Sequence, residues 1–206
     1  MHAPPADCAL CPRLAAFRFA NRAAWPDWFN APVPSFGATM PRLLVVGLAP
    51  GLKGANRTGR PFTGDGAGLL LYPTLIKFGW ARGSYGATPD DGLELVGARI
   101  ANAVRCVPPE NKPVGSEIST CRQFLKPELE ALAEGAAVVA LGRIAHDSVL
   151  AASGRRPAQF KFGHGSRHAL DRGVTLYDSF HCSRYNTSTG KLTPAMFEAV
   201  FAAIPR

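Results

Sequence analysis

Four short runs of apolar residues recur along the chain, and each is bounded by glycine, proline or polar residues. The runs cover residues 42–48, 99–106, 135–141 and 174–180. Their apolar residues are continuous rather than alternating, which is typical of strands that are covered on both faces in a parallel sheet. The pattern therefore predicts four strands in the centre of the fold.

The remaining segments predict the helices. Helical patterns cover residues 68–78, 118–133, 144–152 and 193–204, whereas the segment up to about Pro41 is predicted to be irregular. Strands that alternate with helices imply a parallel sheet with helices on both faces. We predict an α/β fold in which the 206 residues form a single-domain three-layer sandwich around a central four-stranded, mainly parallel sheet.

Three loops rich in glycine, proline or polar residues follow the predicted strands. They cover residues 47–65, 107–113 and 181–190. In open α/β sheets, ligands bind in the crevice beyond the carboxyl ends of the strands. We therefore expect the three loops to form a single site.

The charge balance favours a polyanionic partner without naming one. The chain has 23 Lys and Arg against 15 Asp and Glu, a formal net charge of +8. A basic surface attracts nucleic acids, although a basic protein with no such partner remains an alternative. No apolar run reaches the roughly 18 residues of a membrane span, and the first residues lack the pattern of a secretion signal. A cytoplasmic enzyme is the expectation.

Five cysteines in a chain without a secretion signal argue against a disulfide framework. Cys8 and Cys11 form a C-x-x-C pair, and Cys121 follows Cys106 after residues 107–120. Four such sulfurs suit zinc or an iron–sulfur cluster, because soft thiolates select both. The spacing does not separate the two metals, and scattered buried thiols are the alternative.

The loop over residues 47–65 carries the most informative residues. Its five glycines let the backbone approach a ligand closely, but it lacks the Gly-Lys-Ser/Thr ending of a phosphate-binding loop. Phe62 can stack on a base or plug the core. Asp65 can act as a catalytic carboxylate or cap the following helix.

The loop over residues 181–190 adds polar donors. His181 directly follows a predicted strand and can donate a hydrogen bond to a leaving group. Ser183, Asn186 and Arg184 can contact phosphates. A solvated turn rich in capping residues is the alternative.

Together these segments resemble uracil-DNA glycosylases that contain an iron–sulfur cluster, most closely family 5, the UDGb type. The resemblance extends from Cys8 to about Phe197. The segments that carry it are C-x-x-C at 8–11, GLAPGLKGANRTGRPFTGD at 47–65, AVRCVPPENKP at 103–113, ALGRIA at 140–145 and HCSRYNTSTG at 181–190. The long second segment is the most specific.

The resemblance implies roles for individual residues. It makes Asp65, His181 and Asn111 the catalytic group, with His181 beside the O2 oxygen of uracil. It implies a structural four-iron, four-sulfur cluster on the four cysteines Cys8, Cys11, Cys106 and Cys121. Base-binding residues are expected to be Phe62, Asn102, Gly47 and Ala49. Asn102 departs from some family 5 members and matches an asparagine that reads uracil in family 4.

The expected activity is hydrolysis of the bond between uracil and its sugar, with flipping of the nucleotide out of the duplex. Hypoxanthine, xanthine and ethenocytosine are further candidate substrates. No lysine falls at an obvious catalytic position in these motifs, so a monofunctional enzyme is predicted. The predicted DNA contacts are Arg57, Arg60, Ser183, Arg184, Tyr185 and Asn186.

The expected partner is DNA, double-stranded or single-stranded, and the protein is expected to be a nucleoid-associated monomer. Three alternatives remain open from the sequence. They are a family 4-type enzyme restricted to uracil, a relative that binds nucleic acid without catalysis, and a zinc protein of unrelated function.

Overall fold

The computed structural model describes residues 3–205. The strands are β1 Phe36–Gly37, β2 Leu43–Gly47, β3 Ala81–Arg82, β4 Glu94–Leu95, β5 Ala98–Asn102, β6 Ala137–Leu141, β7 Arg167–Ala169 and β8 Thr175–Ser179. The α-helices are α1 Pro12–Ala24, α2 Ala55–Thr58, α3 Gly68–Lys77, α4 Gly115–Glu130, α5 Arg143–Ala152, α6 Arg184–Ser188 and α7 Pro194–Ala202. Over this part of the chain, no helix combines the length and apolarity that crossing a membrane requires.

The main sheet has six strands in the order β1-β5-β2-β6-β8-β7. Its four central strands, β5, β2, β6 and β8, are parallel and correspond to the four predicted strands. The predicted count of four was wrong because β1 and β7 add an antiparallel strand at each edge. These edge strands have only two and three residues and no apolar run, so the hydrophobic pattern does not reveal them.

Helices cover both faces of the sheet, which confirms the three-layer arrangement. In β2, Leu43 and Val45 pack into the cluster that contains residues of α3 and α7. Leu44 and Val46 point the opposite way, into the cluster with residues of α4 and α5. All four side chains are fully buried, and each stabilises the fold by about 1.5–3 kcal/mol. Continuous apolarity in β2 thus follows from its two covered faces.

The prediction of an irregular N-terminal segment was wrong for residues 12–24, which form helix α1. Pro12 occupies the first turn, where a missing amide proton costs nothing. The buried face of α1 includes the polar residues Arg18 and Asn21, each 2% exposed. Because these residues interrupt the apolar stripe, the sequence did not show a helical period.

Strand β5 ends earlier than predicted, at Asn102 instead of residue 106. The chain then continues alongside the end of β2, where the amides of Ala103 and Val104 donate to the carbonyls of Gly47 and Leu48 at 2.9 Å. This pairing keeps the last residue of β5 beside the glycine-rich loop that follows β2.

Candidate active site

A cleft of about 710 Å³ lies at the carboxyl ends of the parallel strands. Residues from all three predicted loops line it, which confirms that the loops form one site. The predicted site residues among them are Ala49, Phe62, Asp65, Asn102, Asn111, His181, Ser183, Arg184 and Tyr185.

Asp65 is held against the glycine-rich backbone of its own loop. A side chain at Gly54 would place its Cβ 2.4 Å from Asp65 Oδ2, and one at Gly51 would lie 3.2 Å from the same atom. Asp65 Oδ1 accepts a hydrogen bond from the Ala67 amide at 3.0 Å. Burial raises the pKa of Asp65, although hydrogen bonds from the backbone amides of Ala67 and Gly68 lower it. A carboxylate in this environment is a stronger base than a solvated one.

Asp65 is not the N-cap of helix α3. The N-cap position belongs to Ala67, and the first helical residue is Gly68. The Asp65 carboxylate accepts its hydrogen bond from the backbone amide two residues later in the chain, which is an Asx-type turn. The side chain therefore remains at the wall of the cleft.

Phe62 and His181 lie side by side in the cleft. Their ring centroids are 5.9 Å apart and their planes are 27° from parallel. Phe62 is 6% exposed and has φ of 54°, in the left-handed region that few aromatic residues adopt. Burial lowers the pKa of His181 to about 4. A neutral imidazole at neutral pH can still donate one hydrogen bond.

Asn102 contributes an unsatisfied acceptor to the cleft. Its side chain is 3% exposed, and its Oδ1 has no hydrogen-bond partner. A buried amide oxygen without a donor is costly unless a ligand supplies one. Gly47 makes the arrangement possible, because a Cβ there would lie 2.4 Å from Asn102 Oδ1 and 2.5 Å from the Phe62 ring.

Two further residues enter the cleft from its rim. Asn111 is exposed and has φ of 58°, after a turn in which Glu110 has φ of 55°. Lys53 also lines the cleft with an exposed side chain. The sequence motifs assign no role to Lys53, since no lysine in them stands at an obvious catalytic position.

The predicted DNA contacts lie in different surroundings. Ser183, Arg184 and Tyr185 line the mouth of the cleft, and Tyr185 is 73% exposed. Arg57 is exposed on the same loop as Asp65, outside the cleft lining. Asn186 uses its amide to donate to the His181 carbonyl at 2.8 Å. Asn186 therefore stabilises the backbone of His181.

Arg60 has to be removed from the predicted DNA contacts. It is 5% exposed, and its guanidinium donates to both carboxylate oxygens of Asp91, at 2.8 and 2.7 Å. Its Nε donates to the Thr63 hydroxyl at 2.7 Å. Because the guanidinium is buried and paired with a carboxylate, Arg60 is not available to contact a phosphate.

The four predicted metal ligands converge on one small enclosed cavity beside the N-terminal helix. Cys8, Cys11, Cys106 and Cys121 all line this cavity. Burial raises the pKa of Cys106 to about 12 and that of Cys121 to about 11. Burial therefore favours the neutral thiols, and a bound metal cation would stabilise the thiolate forms. Cys182, the fifth cysteine, is fully buried in the main core.

The surroundings of the sulfurs fit an anionic metal group. Arg18 is 2% exposed and forms no ion pair with a carboxylate among residues 3–205. Its guanidinium instead lies 3.6 Å from Cys106 Sγ and donates to the Cys8 carbonyl at 2.8 Å. The Arg105 amide donates to Cys121 Sγ at 3.3 Å. A buried cation is costly unless negative charge lies nearby. The Asp7 carboxylate attracts Arg18 electrostatically, and thiolates at these cysteines would add further negative charge.

The sulfur spacing bears on the choice of metal. Within the described residues, no three cysteine sulfurs lie mutually within 4.8 Å. A zinc ion with Zn–S bonds of about 2.3 Å requires sulfurs only about 3.8 Å apart. The described sulfurs therefore do not form a ready-made zinc site.

The structure also shows a buried polar cluster that no sequence motif predicts. His146 Nδ1 lies 2.7 Å from Asp178 Oδ1, and His146 Nε2 lies 3.0 Å from the Phe160 carbonyl. Both partners are acceptors, so both ring nitrogens carry protons and no lone pair is left for a metal. His168 adds a contact of 3.1 Å to Asp178 Oδ2. The cluster joins α5 to β8 as an ion pair.

Comparisons with known proteins identify the family of the chain. The family model described as the Uracil DNA glycosylase superfamily matches residues 34–204. A Type-5 uracil-DNA glycosylase of Thermus thermophilus is 44% identical over 205 residues, which is 97% of this chain and 93% of that protein. A Type-5 uracil-DNA glycosylase of Pyrobaculum aerophilum is 41% identical over 192 residues, covering 91% of this chain and 83% of that protein.

Similarity to the Type-4 uracil-DNA glycosylases is weaker. A Type-4 uracil-DNA glycosylase, also of Pyrobaculum aerophilum, is 32% identical over 125 residues, which is 60% of this chain and 56% of that protein. The Type-5 protein of the same organism matches at higher identity over a longer stretch. The chain therefore belongs to the uracil-DNA glycosylase superfamily and, within it, to the Type-5 uracil-DNA glycosylases.

Proposed function

We propose that this protein is a monofunctional DNA glycosylase that hydrolyses the bond between uracil and its deoxyribose. One observation carries the proposal: Asp65, His181, Phe62 and Asn102 line the same cleft. This set supplies an anion, a hydrogen-bond donor, a stacking ring and a base-edge acceptor. These are the groups that breaking a glycosidic bond in an extruded nucleotide requires.

The base would lie against the Phe62 ring with its Watson–Crick edge toward Asn102. The unpartnered Asn102 Oδ1 supports this orientation, because the N3–H of uracil is the donor that it lacks. The amide nitrogen would then donate to uracil O4. Gly47 supports the same orientation by leaving room for the ring and the amide.

The chemistry needs charge stabilisation at two places. As the C1′–N1 bond breaks, positive charge develops on the sugar and negative charge on the uracil. His181 would donate a hydrogen bond to O2 from a neutral ring, in keeping with its lowered pKa. Asp65 would stabilise the sugar cation and accept a proton from the water that attacks C1′. Asn111, at the rim, would help to position that water.

A monofunctional reaction requires that Lys53 does not form a Schiff base with the sugar. Lys53 is exposed, whereas lysines that act as nucleophiles are activated by desolvation or by a neighbouring cation. Borohydride trapping tests this point. We expect no covalent adduct with uracil-containing DNA from the wild type or from Lys53→Ala, and a trapped adduct confined to the wild type would contradict the proposal.

DNA would be bound by the rim of the cleft. Arg184 and Tyr185 are exposed there, and the net charge of +8 attracts a polyanion. Tyr185 would fill the space that the flipped nucleotide leaves. Arg57 would contact a phosphate outside the cleft.

We further propose that Cys8, Cys11, Cys106 and Cys121 hold a four-iron, four-sulfur cluster. The converging sulfurs and the buried Arg18 support it. When bound, the cluster would supply a structural crosslink and no redox step. An ion pair also links helix α1 to helix α4, since Arg13 donates to both carboxylate oxygens of Glu117 at 2.8 Å.

The base range is tested by incubating the protein with duplexes that carry uracil, hypoxanthine, xanthine or ethenocytosine. Alkali then cleaves the abasic sites. We expect cleavage at uracil and, less efficiently, at the other three bases. Cleavage at uracil alone would favour a uracil-restricted enzyme, and DNA binding without cleavage would indicate a catalytically inactive relative.

A further inference from the structure

The loop between Phe62 and Asp65 is tied to a residue far away in the sequence. We propose that the Tyr85 hydroxyl holds this loop in the geometry that base excision requires. Tyr85 touches neither the base nor the sugar in this scheme, so it is a positioning residue. The inference rests on the proposed glycosylase function.

One hydroxyl group spans the peptide groups on either side of Thr63. Tyr85 Oη donates to the Phe62 carbonyl at 3.1 Å and accepts from the Gly64 amide at 3.3 Å. Phe62 carries the stacking ring, and Asp65 directly follows Gly64. The hydroxyl therefore fixes the spacing between the ring and the carboxylate.

The backbone at Phe62 adopts a strained conformation that its surroundings must stabilise. Phe62 has φ of 54° and Gly64 has φ of 85°. A residue with a Cβ is strained in the left-handed region and remains there only when its surroundings determine it. The hydrogen bond that Tyr85 Oη donates and the one that it accepts lie at these two residues.

Tyr85 is itself held by the residues around it. Its ring stacks on Tyr72 with centroids 4.6 Å apart, and the Tyr72 hydroxyl donates to the Pro61 carbonyl at 2.6 Å. The Arg60 guanidinium lies 5.9 Å from the Tyr85 ring centroid. Asp91, which binds Arg60, also accepts from the Gly86 amide at 2.8 Å. The buried Arg60–Asp91 pair thus anchors the segment that carries Tyr85.

The space around the hydroxyl is closely fitted. A Cβ at Gly68 would lie 2.2 Å from Tyr85 Oη and 2.0 Å from the Phe62 carbonyl. Only glycine at this first residue of α3 lets the hydroxyl reach the loop. Burial also raises the pKa of Tyr85, which keeps the hydroxyl protonated for donation at neutral pH.

Tyr85→Phe removes the hydroxyl and keeps the ring. Tyr177→Phe is the matched control, because the Tyr177 hydroxyl reaches the Ala203 carbonyl at 3.4 Å, outside the cleft. The experiment measures single-turnover release of uracil at saturating protein, affinity for abasic product DNA, and the melting temperature. We expect Tyr85→Phe to excise roughly tenfold or more slowly, because small misplacement of reacting groups costs up to about 10²-fold. Product affinity should stay within twofold, and Tyr177→Phe should match the wild type.

A fluorescent reporter separates positioning from general loosening of the fold. Uracil flanked by 2-aminopurine gives a rise in fluorescence when the uracil leaves the stack. We expect Tyr85→Phe to flip the base with a smaller final amplitude at temperatures where it is fully folded. Slow excision confined to temperatures at which the variant partly unfolds would overturn the positioning role.

The positioning role of Tyr85 and the glycosylase function are refuted by different results. An active wild type with an equally active Tyr85→Phe variant would refute the positioning role alone. A wild type that releases no uracil would refute the glycosylase function and the positioning role with it.

Discussion

Replacing Gly47 with alanine places one methyl group against the two side chains that form the proposed base pocket. The new Cβ would lie 2.4 Å from Asn102 Oδ1 and 2.5 Å from the Phe62 ring. Gly47 ends strand β2 and does not have a positive φ. Alanine is therefore acceptable to the backbone, and the effect of the substitution is steric.

The size of the effect follows from these distances. Comfortable contacts between such atoms are about 3.5 Å or longer, so the amide and the ring must each retreat by about 1 Å. A misplacement of about 1 Å can cost roughly 10²-fold in rate, which corresponds to about 2.7 kcal/mol of transition-state stabilisation. Overpacking at a buried position costs about 1–3 kcal/mol of folding free energy.

Gly115→Ala is the matched control for Gly47→Ala. Gly115 begins helix α4, and a Cβ there would meet nothing within 4 Å. The assay is single-turnover release of uracil from a duplex, measured together with thermal melting. Gly47→Ala should lose about two orders of magnitude in rate while Gly115→Ala keeps the wild-type rate. A folded Gly47→Ala enzyme with the wild-type rate would refute the convergence of Phe62 and Asn102 on the base.

Three more predictions concern the acid–base groups and the cluster. Asp65→Ala should abolish most excision but keep DNA binding in a gel-shift assay, and unchanged turnover would remove Asp65 from the mechanism. The folded-state pKa of His181, about 4, lies below its ordinary value of 6.5, so its stabilisation is complete above pH 6.5 and is lost as the pH falls toward 4. Melting curves over this range should show that loss diminished in His181→Gln. Cys106→Ser should lose visible absorbance and bound iron and melt earlier, whereas a stable, colourless, fully active variant would reject a structural cluster.

The sequence predicted the central sheet because both faces of its strands are buried. Strand β2 is continuous in apolar residues, so its signal is strong. Helix α1 has a weaker signal because its buried face includes the polar residues Arg18 and Asn21. Arg18 is buried against the cysteine cavity, where its guanidinium lies beside Cys106, 88 residues further along the chain. A local pattern cannot encode such contacts.

The candidate site was predictable to the extent that its residues lie in loops after strands. Asp65, Phe62 and His181 do lie in one cleft, as the loop positions predict. The prediction failed for Arg60, whose partner Asp91 lies 31 residues further along the chain. Tyr85 escaped notice for the same reason, since its contacts to the catalytic loop also join distant segments.

The central claim is that Asp65 and His181 act on one extruded uracil, and the direct test is to quantify the reaction products. Chromatography would measure free uracil, and electrophoresis with and without alkali would measure abasic sites and strand breaks. The account predicts equal amounts of free uracil and alkali-labile sites, an intact backbone before alkali, and a strong reduction of both products with Asp65→Ala. Bound duplex that yields no free uracil, or release that persists undiminished in Asp65→Ala, would contradict it.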